Sequence, residues 1–141
     1  LNINAYIPPF YIQNEEQKLE AYKKISHVTN TDEYFDVQEE LEDRYGTMPK
    51  SVNMLLKIVV LKARAHAQQI VSIVEKQGNI VVSFKGDAKL DPKKITGAIV
   101  KRPKRYLFTS ATNPYVTIKT NERDKLDQIT YVKEFLDDIE G

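Results

Sequence analysis

The 141 residues suit one domain, or at most two very small ones, and 41% hydrophobic with 29% charged residues is ordinary for a globular chain. The absence of cysteine excludes a disulfide framework and cysteine-ligated zinc, and it fits a reducing, cytoplasmic setting. The net charge of +1 hides segregation: residues 1–50 carry five basic and ten acidic side chains, residues 51–105 twelve and three, and residues 106–141 four and seven. Such blocks suggest partners of more than one kind, or internal pairing, rather than the overall basic excess of a nucleic-acid binder.

The start, Leu1-Asn2-Ile3-Asn4, has neither an initiator methionine nor the basic-then-apolar pattern of a signal peptide, so the chain reads as a piece of a longer polypeptide. Asn4 to Ile7 reads as a short extended segment stopped by Pro8 and Pro9, and residues 1–13 as a linker from a preceding domain. Asn14 is a good N-cap, acidic Glu15 and Glu16 follow it, and Leu19, Tyr22 and Ile25 recur at helical spacing, which predicts a helix over 15–27. Asn30 and Glu33 have capping-box spacing, with Thr31 as the other candidate cap. Tyr34, Val37, Leu41 and Tyr45 then mark a second helix over about 32–45, closed by Gly46. Pro49 opens a third helix, running to about Gln68, with Val52, Leu55, Leu56, Val59 and Ala63 on one face.

The period then changes. Val71–Glu75 and Ile80–Lys85 are rich in β-branched residues, and Lys76-Gln77-Gly78-Asn79 between them predicts a hairpin. Asp91 and Pro92 open a short helix with Ile95, Ala98 and Ile99 inward, and Pro103 ends it. Tyr106–Thr109 and Tyr115–Thr120 read as two more strands. The last helix, about 122–139, carries Leu126, Ile129, Val132 or Lys133, Leu136 and Ile139 at helical spacing. Three helices, two hairpin-like strand pairs with a helix between them, and a closing helix define an α+β chain whose strand order stays open.

No chemistry announces itself. The glycines stand outside any GxxxxGK arrangement, so no ATP site is expected, and no cofactor. His27 and His66 lie on different helices without metal-ligand spacing, and no nucleophile elbow is present. The longest apolar runs, such as Ile58–Leu61, are far too short for a bilayer, so no membrane partner is expected. A hydrolase of unknown type is a remote reading.

Two charged features remain. From Asp32 to Asp43 there are seven acidic residues and no basic one. At about 100° per residue, Asp32, Asp36, Glu39, Glu40 and Asp43 gather opposite the apolar stripe. The residues alone read first as a solvated helix face; an arginine-bearing partner is the alternative, since a planar guanidinium binds carboxylates at two points. The second feature is basic: Lys93, Lys94, Lys101, Arg102, Lys104 and Arg105. It reads as a solvated loop, or as a phosphate-contacting region whose binding would weaken with salt.

Some stretches resemble a known family. Ala5-Tyr6-Ile7-Pro8, Tyr11-Ile12 and Leu19–Ile25 are similar to the opening of the C-terminal domain of bacterial transcription-repair coupling factors. The strongest match is Glu40-Leu41-Glu42-Asp43-Arg44-Tyr45-Gly46-Thr47-Met48-Pro49, followed by a leucine-rich helix. The resemblance is clear to about residue 70 and rests on element order beyond it. Glu42 stands where the family often has an apolar residue, and this widens the acidic surface toward Phe35.

The resemblance implies a non-catalytic regulatory domain of an ATP-dependent DNA translocase. That parent would use ATP and Mg, displace stalled RNA polymerase from DNA and recruit nucleotide-excision repair through UvrA. The family's C-terminal domain docks on the UvrB-like module of its own polypeptide and masks the UvrA-binding surface. Glu40 and Asp43 match the acidic pair of that contact, and Asp36, Glu39 and Arg44 lie beside them on the helix. On this resemblance the acidic face reads as a protein interface, with nucleic-acid binding by the basic region as the alternative function.

Overall fold

The computed structural model describes residues 5–120 and 127–140. The chain divides into two compact units near the end of its third helix, one reaching to Arg64 and one starting at Ala65.

The first unit is helical. Helices α1 (Glu15–Ser26), α2 (Thr31–Tyr45) and α3 (Lys50–Ala67) follow the expected order within one or two residues. Local chemistry fixes their ends. The Asn14 side chain accepts the Gln17 N–H at 3.0 Å, and Asn30 accepts the Glu33 N–H at 2.9 Å, so Asn30 rather than Thr31 is the cap of α2. Glu33 folds back to accept from the Thr29 N–H at 3.3 Å, completing a capping box displaced by one residue. Gly46 closes α2 at φ +89°, where a side chain would be strained.

Ile7, Tyr11, Ile12, Ala21, Ile25, Val28, Leu41, Val52 and Leu56 form the buried centre of this unit. Each large apolar side chain removed from water contributes about 1.5–3 kcal/mol. The opening segment therefore belongs to the core. Ala5–Ile7 are not a strand, and Asn4 lies outside the described residues. The Ile7 N–H donates to the Tyr22 hydroxyl at 2.9 Å, and the Pro8 carbonyl accepts from Tyr11 and Ile12 in a tight turn. The segment buries Ile7, Tyr11 and Ile12 in the core of the helical unit. The Tyr11 hydroxyl then lies within hydrogen-bond reach of two carbonyls, Gly46 at 2.8 Å and Leu41 at 3.2 Å, and shares its one proton between them, which ties the opening segment to the end of α2.

The second unit is a four-stranded antiparallel sheet with two helices. Its elements are β1 (Ile70–Lys76), β2 (Asn79–Phe84), α4 (Pro92–Lys101), β3 (Tyr106–Thr109), β4 (Tyr115–Ile118) and α5 (Gln128–Glu140). The strand order is β1-β2-β4-β3, so each hairpin contributes its second strand to the middle of the sheet. The β1–β2 turn places Gln77 and Gly78 at φ +53° and +83°, as a two-residue hairpin turn requires. Register puts Ile73, Val82, Val116 and Phe108 in one row and, two positions along on the same face, Glu75, Ile80, Ile118 and Tyr106 in another. In α5, Tyr131, Val132, Phe135, Leu136 and Ile139 are buried, and the Phe135 ring meets Tyr106 edge-on with centroids 5.2 Å apart.

Two boundaries differ from expectation. Strand β4 stops at Ile118, and Lys119 and Thr120 bond instead to Arg105 and to the Gly78–Asn79 turn. Helix α5 starts at Gln128, because the Asp127 carboxylate accepts the Thr130 N–H at 2.8 Å and caps it; residues 122–126, Leu126 among them, lie outside the described residues. Val132 rather than Lys133 takes the inward position.

Candidate functional site

Helix α2 carries the acidic face, and its neighbours decide how much of that face is open. Tyr34, Val37, Leu41 and Tyr45 pack against the core of the helical unit. Tyr34 fastens one flank by donating its hydroxyl to Asn53 of α3. Lys24 of α1 fastens the other by pairing with Glu40. What remains toward solvent is an arc of exposed carboxylates: Asp32, Asp36, Glu39 and Asp43. Among the described residues these four have no cationic partner.

The sequence groups Glu40 with Asp43, and the structure separates their circumstances. Glu40 already holds an ammonium group, which offsets the repulsion of about 0.2–0.5 kcal/mol that two like charges three apart exert on a helix. Asp43, Asp36 and Glu39 have no such relief. Asp32 sits in the first turn, where the helix dipole favours negative charge. Arg44 is exposed and lies over the Tyr45 ring, 5.2 Å from its centroid.

Glu42 behaves differently from the expectation that it widens the acidic surface. Its carboxylate turns back and accepts the Met48 N–H at 3.0 Å, which ties the α2–α3 turn together. Burial first, and the Glu42 charge second, push the hydroxyls of Tyr11 and Tyr34 above the usual tyrosine range. Glu42 is thus a structural acid.

The basic stretch is divided by the fold. Arg102 donates through Nε to Asp138 at 2.8 Å and lies 3.5 Å from Glu134. Arg105 pairs with Glu134 and stands over the Tyr131 ring at 5.0 Å. Both arginines therefore fasten the segment before β3 to helix α5. Lys93, Lys94, Lys101 and Lys104 remain exposed. Tyr106 is buried in the packing and Phe108 is half-buried. Among the described residues no three His, Asp or Glu side chains gather as a metal site, and no helix is long and apolar enough to cross a membrane.

Two features were missed as site residues. Lys24 lies sixteen positions from Glu40, and nothing local in either helix links them. Phe35 is 57% exposed at the edge of the acidic arc. Its signal was available, since an aromatic residue on the polar side of the helical wheel has no core to fill.

Fold and surface define a small α+β domain: a helical unit bearing an open acidic face, followed by a sheet covered by two helices. The TRCF-domain family model matches residues 1–95, and the chain belongs to that family. A transcription-repair-coupling factor of Staphylococcus haemolyticus is 40% identical over 84 residues, covering 60% of this chain, and one of Borreliella burgdorferi is 25% identical over 132 residues, covering 94%. The aligned regions make up only 7% and 12% of those two relatives. The fold is also that of a crystal structure of the C-terminal domain of transcription-repair coupling factor, with a TM-score of 0.80, 23% sequence identity, and coverage of 99% of this chain and 88% of the other.

Proposed function

We propose that this domain is a non-catalytic regulatory module of a transcription-repair coupling factor, docking through the acidic face of α2 on the UvrB-like module of its own polypeptide. Docking masks the surface that UvrA uses. The parent polypeptide supplies ATP-dependent translocation on DNA, removal of stalled RNA polymerase and recruitment of excision repair in the bacterial cytoplasm. The observation that carries this reading is the open arc of Asp36, Glu39 and Asp43, beside Glu40, without cationic partners of its own on the exposed side.

The physics suits a lid that must release. Exposed ion pairs contribute about 0–1 kcal/mol each, and close pairs in a desolvated interface couple by roughly 1.5–7 kcal/mol. A tethered module needs only weak contacts, because the linker raises the effective concentration. The alternative, nucleic-acid contact through Lys93, Lys94, Lys101, Arg102, Lys104 and Arg105, is weakened by the engagement of both arginines with α5. Its test is a low-salt fluorescence anisotropy titration against DNA, in which the docking module shows little binding.

The direct test reverses Glu40 and Asp43 to lysine in the full-length polypeptide. Capture of UvrA rises, while circular dichroism of the 141-residue chain stays that of the parent sequence. Unchanged UvrA capture would remove these residues from the mechanism.

A further inference from the structure

The acidic arc has an apolar member that the charge pattern does not explain. Phe35 is 57% exposed on a helix whose other apolar side chains pack inward. One turn before it stands Asp32 and one turn after it Glu39, both exposed. The Phe35 ring rests on one aromatic neighbour: it meets Tyr34 edge-on, with centroids 5.3 Å apart and planes at 82°, and Tyr34 is itself tied to Asn53 of α3.

We propose that Phe35 is the apolar anchor of the acidic face, and that the surface receiving it is an apolar pocket rimmed by guanidinium groups. The inference rests on the docking reading and deepens it by naming the partner's chemistry. Carboxylates on an open helix face contribute little while water surrounds them. A buried aromatic side chain carries most of the energy of a typical interface, and the charges around it set register and encounter rate. Seating the ring also removes water from the flanking carboxylates, which strengthens their pairs. A ring that already rests against a neighbour loses less freedom on binding than one without such a contact. The rim favours arginine over lysine, because a planar guanidinium stacks on the ring face while its fork pairs with Asp32 or Glu39.

The experiment titrates the 141-residue chain against the parent polypeptide truncated just before it. Phe35→Ala weakens binding by about tenfold or more, the loss typical of an aromatic anchor. Phe35→Leu, which keeps apolar bulk, weakens it by less than about threefold, and Leu19→Ala, at a 58% exposed position on α1, changes it by less than about twofold. Circular dichroism stays unchanged, because the ring is outside the core. The anchor is overturned if Phe35→Ala leaves affinity within about twofold of the parent sequence while Asp36→Lys, Glu39→Lys and Asp43→Lys together abolish binding; the docking reading then stands alone. If the triple reversal also leaves binding unchanged, or the parent sequence shows no binding even at the roughly millimolar concentration that a short tether supplies, the docking reading falls and the anchor with it.

Discussion

Asp138 is buried on α5 and accepts from the Tyr106 hydroxyl at 2.5 Å and from Arg102 at 2.8 Å. Burial, the hydrogen bond to Asp138 and its negative charge all favour the neutral phenol, so Tyr106 titrates well above its ordinary value of 10. An unfolded chain ionises this group near pH 10, and the folded chain does so only higher. The stabilisation is therefore fully present below about pH 10 and is lost as pH rises from there through the folded value. Tyr106→Phe removes one hydrogen bond to a buried carboxylate and costs about 1.5–3 kcal/mol near neutrality. It also flattens the alkaline loss, so the two proteins converge in stability as pH climbs past about 10, which urea denaturation at neutral and alkaline pH measures. Tyr11 and Tyr34 shift in the same direction, so the variant reduces the alkaline sensitivity without abolishing it.

Among the elements, α2 was the most legible, because its devices are local. Asn30, Glu33 and Gly46 lie within or beside the segment they terminate, and the Tyr34, Val37, Leu41, Tyr45 stripe sets its inner face. Gly46→Ala is expected to cost about 1–3 kcal/mol, from backbone conformation alone, since nothing lies within 4 Å of an added Cβ. Thermal denaturation measures the loss. Features that join distant positions were hidden. The pairing of β2 with β4 links Ile80 to Ile118, and no local pattern in either strand names its neighbour. The fate of the basic stretch was hidden for the same reason: Arg102 and Arg105 meet Asp138 and Glu134 from positions 36 and 29 residues away. The burial of Ile7, Tyr11 and Ile12 was hidden for the same reason, since the helices they pack on lie further along the chain. Glu42 misled because the wheel places a side chain without showing which backbone N–H it turns toward.

At the scale of the whole molecule, charge is divided as the elements are. The helical unit presents carboxylates on α2, and the basic stretch of the sheet unit keeps Lys93, Lys94, Lys101 and Lys104 exposed after its arginines are engaged by α5. The acidic face was legible as a pattern, and its reading as an interface came from the family resemblance; the structure adds which carboxylates are open and which one Lys24 already holds. The most direct measurement is a residue-level contact map of this domain in the full-length polypeptide, by crosslinking from single positions. Docking through α2 predicts crosslinks to the UvrB-like module from positions 36, 39 and 43 and none from 93, 101 or 104. Crosslinks from the lysine positions alone, or none to that module from either set, would contradict it.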